Sequence, residues 1–168
     1  MLISESYSLL NERLHNSAIP YGAGGYKWVD SVIALTEDHN TIDVLDYGCG
    51  KSTLAEMLPF SIQQYDPCIP EHRGRPKPAD IVVCTDVLEH VEPECLDSVL
   101  SDILYLMNRC GFLFIATCPA KKRLPDGRNT HLIQKPAGWW INKLQTRFEV
   151  MSEVNHVSRG VVLVVSPL

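Results

Sequence analysis

Hydrophobic positions along the chain follow two rhythms, and the switches between them mark out the elements. Residues 5–15 and 26–36 repeat at a helical period, the second with Trp28, Val29, Val32, Ile33 and Leu35 on its apolar side. Ile42, Val44 and Leu45 then predict a strand over 42–46, followed by a helix over about 53–58 that Pro59 stops. A second strand is expected at 61–65. The segment Pro67 to Asp80 carries prolines at 67, 70, 76 and 78, too many for a strand and helix of normal length. Ala79 to Thr85 is apolar almost without interruption, as a strand covered on both faces is. From Pro93 onward, apolar residues at 96, 99, 100, 103, 104 and 107 step at i, i+3, i+4 and i+7, the clearest helix in the chain. A strand at 112–117 follows. Next come a helix opening at Pro136, with Trp139, Trp140, Ile141 and Leu144, and a terminal hairpin of 148–157 with 160–165.

Strands that alternate with helices and close on a hairpin predict an α/β protein. The expected form is a three-layer Rossmann-like sheet with an antiparallel final β-hairpin. It is shortened where the loop 67–79 replaces a third strand-helix unit. One domain over residues 1–168 is expected, with an N-terminal helical cap at 1–38 and the core at 40–168. Between the first two helices, Ile19-Pro20-Tyr21-Gly22-Ala23-Gly24-Gly25 reads as a flexible connection. Its continuation, Gly22–Lys27, is a candidate lid.

Composition narrows the class. At 168 residues and 45% apolar content the chain can bury one core. No apolar run reaches the 18 or so residues of a membrane helix, and the first residues show no basic-then-apolar leader. Six cysteines, at 49, 68, 84, 95, 110 and 118, include no Cys-x-x-Cys pair. That spacing suits neither a zinc cluster nor a disulfide framework, so a cytoplasmic setting is expected. A net charge of −5 argues against bulk coating of nucleic acid. Charge is uneven, however: Lys121, Lys122, Arg123, Arg128 and Lys135 stand against Asp126 alone. This suggests an anionic substrate, unless the run is simply a solvated loop.

The most informative segment is 44–52, Val-Leu-Asp-Tyr-Gly-Cys-Gly-Lys-Ser. An apolar strand ends in Asp46, turns on Gly48 and Gly50, and leads into a helix, which is how an open α/β sheet makes a nucleotide-sized crevice. A Walker phosphate loop is excluded because its first glycine would be Leu45. The dinucleotide fingerprint fails because its third glycine would be Thr53. The segment resembles the first motif of class I S-adenosylmethionine-dependent methyltransferases, Asp-x-Gly-x-Gly-x-Gly, with Ser52 at the third glycine. Thr53-Leu54-Ala55-Glu56 reads as a capping box that starts the helix. The resemblance covers roughly residues 40–168 and implies S-adenosyl-L-methionine as cofactor, held by Asp46, Gly48, Cys49, Gly50, Asp66, Thr85 and Asp86. Asp66, 20 residues after Asp46, stands where an acid accepts from ribose hydroxyls, or is simply part of a Tyr-Asp-Pro turn.

Asp86-Val87-Leu88-Glu89-His90-Val91 lies at the end of the central strand and resembles the fourth-motif segment of many small-molecule methyltransferases. Glu89 and His90, with His131 beyond the next strand, are the candidate catalytic residues. A hydroxyl acceptor must lose a proton, which needs a base or a metal. Asp86, Glu89, His90 and His131 also form a candidate divalent-metal set of two carboxylates and two imidazoles. In this they resemble the small-RNA 3′-terminal 2′-O-methyltransferases and the ubiquinone-pathway O-methyltransferases. Trp139 and Trp140 either stack on a substrate or anchor the core. The expectation is methyl transfer to a polar, hydroxyl-bearing small molecule, saccharide or nucleotide-like acceptor. The alternatives are a catalytically silent cofactor-binding module and a metal-dependent RNA 2′-O-methyltransferase-like enzyme.

Overall fold

The computed structural model describes residues 1–17, 21–154 and 159–168. Helices are α1 (Glu5–His15), α2 (Val29–His39), α3 (Thr53–Met57), α4 (Leu96–Leu106) and α5 (Ala137–Leu144). Strands are β1 (Val44–Tyr47), β2 (Gln63–Tyr65), β3 (Ala79–Thr85), β4 (Met107–Ala116), β5 (Phe148–Val154) and β6 (Gly160–Pro167). They form one sheet in the order β2-β1-β3-β4-β6-β5. The first four are parallel, while β6 runs antiparallel to β4 and to β5. The expected antiparallel closing hairpin is present; its predicted residues 155–157 lie outside those described.

Alternation along the strands builds three layers. Leu45, Val82, Cys84 and Leu113 face α4 and α5, where Leu100, Ile103, Trp140 and Leu144 are fully or almost fully buried. Val44, Ile81, Val83 and Phe112 face the opposite way, against Val32 and Leu35 of α2 and Leu54 of α3. Each such side chain contributes about 1.5–3 kcal/mol by leaving water. Helix α1 joins neither face. Its Tyr7 and Leu14 pack with Tyr21 and Leu124 beside the carboxyl ends of the strands.

Several boundaries differ from the sequence pattern, for local reasons. The strand expected at 42–46 starts at Val44, and Ile42 is exposed. The second strand is Gln63–Tyr65, shorter than 61–65. Residues 26–36 resolve into a 3-10 turn at Gly25–Trp28 and then α2, which Asn40 ends in the left-handed conformation (φ 48). Pro93 begins only a 3-10 turn, and the α-helix proper starts at Leu96. The strand expected at 112–117 begins at Met107, so Met107 belongs to β4 and not to the helix before it. Thr53 is not a capping residue. The cap of α3 is Ser52, at φ 60 and with no side-chain capping bond, so the capping box is absent. Ser52 holds a left-handed angle that costs a Cβ-bearing residue about 1–2 kcal/mol. Its hydroxyl instead hydrogen-bonds His72 Nε2 at 3.1 Å.

The third strand-helix unit is missing as expected. Residues 67–78 contain only a 3-10 turn at Pro70–His72, and Ala79 already begins β3. The loop is tied back by Arg75, whose guanidinium pairs with Asp102 of α4 at 2.5 Å. Tyr47 donates to the other Asp102 oxygen at 2.9 Å.

Candidate active site

The carboxyl ends of the parallel strands open on a cavity of about 710 Å³, within the range of small-molecule sites. Its walls come from the glycine turn after β1, the ends of β2 and β3, α1, the strap 21–28 and the loop after β4. Of the residues the sequence singles out, Gly48, Gly50, Asp66, Asp86, His90 and His131 line it. Asp46, Cys49, Thr85 and Glu89 do not: Asp46 and Cys49 are buried by the turn, and Glu89 is fully buried.

Gly48 (φ 83) and Gly50 (φ 54) occupy the left-handed region that glycine alone adopts freely. Every N–H of the turn is used within the protein. Gly48 and Cys49 donate to Tyr65 O, Gly50 to Asp66 Oδ2, Lys51 to Gly22 O and Ser52 to Cys49 O. A phosphate-cradling turn must leave such N–H groups free. Both phosphate-binding readings therefore fail on structure as they do on spacing. The strap crosses this turn closely, since a Cβ on Gly50 would lie 2.4 Å from Gly22 O.

Three carboxylates surround the turn. Asp66 accepts from Gly50 N at 3.1 Å and Cys68 N at 2.9 Å, so it organises the turn while one side of it faces the cavity. Burial, with help from the Asp66 charge, pushes Asp46 up to about 7. Asp86 is a non-glycine residue at φ 56. That left-handed backbone sets its carboxylate at the cavity wall. The cavity walls raise its pKa although its surface remains open, and Lys27, His131 and Lys122 pull it the other way.

Glu89 and His90 lie in a 3-10 turn, Leu88–His90, immediately after β3. One ligand atom from each of Glu89, His90 and His131 lies within 4.8 Å of the others. Asp86 stands outside that group, so the four-residue set expected from spacing becomes three. The reason is local: its left-handed backbone separates Asp86 from the turn that carries the other two. His90 Nδ1 lies 2.7 Å from Thr130 O, and His131 Nδ1 lies 2.6 Å from Cys118 O. A carbonyl only accepts, so both Nδ1 atoms carry hydrogen, and in the neutral ring the lone pair lies on Nε2. Glu89 Oε1 accepts from Ala116 N at 3.0 Å, whereas Oε2 is buried with no hydrogen-bond partner among the described residues. Burial and the Asp86 charge push Glu89 up to about 8. Burial, with His131 beside it, pushes His90 down to about 3.

The basic run divides. Lys121 and Lys122 reach the cavity. Arg123 bonds Gly127 O, Arg128 pairs with Asp126 at 2.8 Å, and Lys135 lies over the Trp139 ring. Lys27 and Arg159, from distant segments, complete the basic side of the wall. Trp140 is fully buried, Trp139 packs edge-on against it, and neither touches the cavity. The tryptophan pair is thus a core anchor. Sequence reasoning missed the contribution of α1, whose Tyr7, Asn11 and His15 line the cavity. Their spacing of four is the signal that points to one helix face.

No family model matches the chain, and no curated protein matches it. Solved structures do. One is magnesium protoporphyrin IX methyltransferase from Synechocystis with bound S-adenosylhomocysteine: 17% identity, 98% of this chain and 95% of that one, TM-score 0.55. A second is the 1,6-didemethyltoxoflavin-N1-methyltransferase of Burkholderia thailandensis, with 14% identity, 99% and 91% coverage and TM-score 0.66. A third is the N-methyltransferase NodS of Bradyrhizobium japonicum, with 13% identity, 98% and 99% coverage and TM-score 0.62. The chain has the class I S-adenosylmethionine-dependent methyltransferase fold. Among the described residues no helix is long and apolar enough to cross a membrane.

Proposed function

We propose that the protein is an S-adenosylmethionine-dependent methyltransferase acting on a hydroxyl of an anionic small-molecule, saccharide or nucleotide-like acceptor. The observation that carries this reading is the juxtaposition, in one cavity, of the glycine turn with His90 and His131, behind which Glu89 is buried within the same cluster. When bound, the cofactor supplies a methyl group on a sulfonium. Gly48, Gly50, Asp66 and Asp86 are the wall residues placed to hold it, with Asp46, Cys49 and Thr85 supporting them from behind. The turn's backbone suits an uncharged nucleoside more than a phosphate, because it offers no unpaired N–H. The chain must hold donor and acceptor about 3–3.5 Å apart and exclude water.

His131 takes the acceptor's proton on Nε2, the atom its Cys118 bond leaves free. His90 and Glu89 fix the geometry around it. Nitrogen and carbon acceptors need less help with a proton, so two imidazoles at one rim, with Glu89 buried behind them, favour oxygen. Lys27, Lys121, Lys122 and Arg159 supply the positive wall for an anionic group on the acceptor. The names of the similar solved structures, two of which specify small molecules, agree with an acceptor of that size. The thiols, five of them buried and none bridged, suit a cytoplasmic protein.

Calorimetry with S-adenosylmethionine and S-adenosylhomocysteine tests the reading. Saturable heat is expected, and a folded sample giving none at millimolar ligand would end it. Full binding without turnover against broad acceptor pools would favour a silent module instead.

The donor set also fits a divalent cation. Glu89 Oε2 has no other partner among the described residues, and each imidazole has its Nδ1–H fixed by a carbonyl, the usual second-sphere arrangement of metal-bound histidine. Glu89, His90 and His131 would hold the ion, which would lower the pKa of an acceptor hydroxyl. Titrating the protein with Mg²⁺ or Mn²⁺ alone checks this. Absence of binding, together with turnover unchanged by a chelator, leaves proton transfer to His131 without metal.

A further inference from the structure

His90 is held from its far side by a closed circuit of hydrogen bonds that begins and ends on that residue. Tyr21 Oη lies 3.3 Å from His90 Nδ1, which also faces Thr130 O. The Tyr21 hydroxyl donates to Asn11 Oδ1 at 3.1 Å. Asn11 Nδ2 donates to Tyr7 O at 3.1 Å, and Tyr7 Oη donates to His90 O at 2.5 Å. Tyr7, Asn11 and Tyr21 are 3%, 4% and 9% exposed, so water does not compete for these bonds.

The direction of the circuit is fixed at each step. Tyr7 O can only accept, so Asn11 must present its amide nitrogen there and its oxygen to Tyr21. That oxygen takes the Tyr21 hydrogen, which leaves Tyr21 Oη a lone pair toward His90. His90 Nδ1 must then be the donor, shared between Tyr21 and Thr130. Were Tyr21 to reverse and donate to His90, both Asn11 Oδ1 and Thr130 O would lose their donor, and each would be left buried and unsatisfied.

Two further contacts fasten the helix to the same segment. Glu92 accepts from Ser4 N at 2.7 Å and from Ser4 Oγ at 2.6 Å, at the N-cap of α1.

We propose that α1 and the first residue of the strap are working parts of the site: Tyr21, Asn11 and Tyr7 are positioning residues that, together with Thr130 O, hold His90 as its Nδ1–H tautomer with Nε2 as its lone-pair atom, Tyr7 acting through the His90 backbone. This rests on the assignment of His90 to the reaction made above. It extends the site to an element that sequence patterning marks only as a cap.

Nitrogen-15 NMR of the intact protein, selectively labelled at histidine, reads the tautomer whether or not an acceptor is known. His90 should show a protonated Nδ1 and an unprotonated Nε2. Tyr21→Phe keeps the ring and removes the hydroxyl. It should shift the His90 nitrogen signals and lower kcat about 10–100-fold, the usual effect of losing an outer partner. S-adenosylmethionine affinity should stay within about twofold. Asn11→Leu, which frees the Tyr21 hydrogen to turn toward His90, should move the same signals if Tyr21→Phe does not fold. A wild-type proton on Nε2 overturns the proposal. A fall in kcat with unchanged His90 signals also overturns it, because that is packing alone. If no acceptor supports turnover, the functional reading fails by itself, and the nitrogen signals still decide the tautomer.

Discussion

Glu89 combines the deepest burial of any acid in the chain with an oxygen that has no hydrogen-bond partner among the described residues. Its folded pKa of about 8 lies above the ordinary 4.5. The folded state therefore binds more protons across that window, and the contribution of this group to stability falls as pH rises from 4.5 through 8. Glu89→Gln keeps the acceptor for Ala116 N and removes the charge. The ligand-free variant should be more stable than wild type above pH 8, by about 1–3 kcal/mol in urea melts, while its turnover is lost. Equal stability at pH 9 would show that the carboxylate is satisfied in solution. His131→Ala should behave differently. Turnover should drop by about 10²–10⁴-fold, the range for a general base, and S-adenosylhomocysteine binding by calorimetry should be nearly unchanged. At this scale the chemistry-bearing types were legible, since Gly48, Gly50, Asp66, His90 and His131 all reach the cavity. Tyr7 and Asn11 offered only their spacing of four, and the bonds of Tyr7 and Tyr21 to His90 join segments far apart along the chain, which spacing within one helix does not encode.

Elements were readable where one period dominates. The α4 pattern gives the helix and its buried face, although Pro93 starts a tighter turn before it. Errors gather at ends, where hydrogen bonds from elsewhere compete with local signals. Thr53 has the chemistry of a cap, yet its hydroxyl accepts from Tyr26 N at 3.3 Å, and the chain turns into α3 through a left-handed Ser52. The turn between β1 and α3 is the element most sensitive to change. Gly50→Ala puts a methyl group 2.4 Å from Gly22 O at a φ of 54, so both backbone strain and a clash arise. We expect a loss of about 2–4 kcal/mol, measured by thermal or urea unfolding, with weaker cofactor binding as the strap lifts. An unchanged melting temperature would mean that the strap does not rest on the turn.

For the whole molecule, alternation and order were enough to foresee three layers and a closing hairpin. The proline count was enough to foresee the missing unit. What replaces that unit was hidden: the loop is anchored by Arg75 on Asp102, an acid on the buried side of α4 that its helical position does not explain. Arg75→Ala should cost about 1–2 kcal/mol, discounted because the guanidinium is half exposed. The double variant with Asp102→Asn should lose less than the two single changes added together, since the charge needing a partner is gone. Additive losses in urea melts would separate the two residues energetically.

The two edges of the sheet meet their surroundings in unlike ways. On one side, β2 is three residues long and runs into a segment with prolines at 67, 70, 76 and 78, where Lys77 N donates to the Gln63 side chain. A neighbour's strand would find few donors to pair with there. On the other side, β5 is seven residues long and holds an irregular register between Val150 and Ser152, with Glu149 and Glu153 exposed along it. Carboxylates and a bulge are what keep such a border from recruiting a second chain. Solubility of this protein at high concentration therefore depends on β5 far more than on β2. Exchanging Glu149 and Glu153 for valine should increase self-association, read by light scattering as a steeper rise of apparent mass with concentration than the unchanged protein gives.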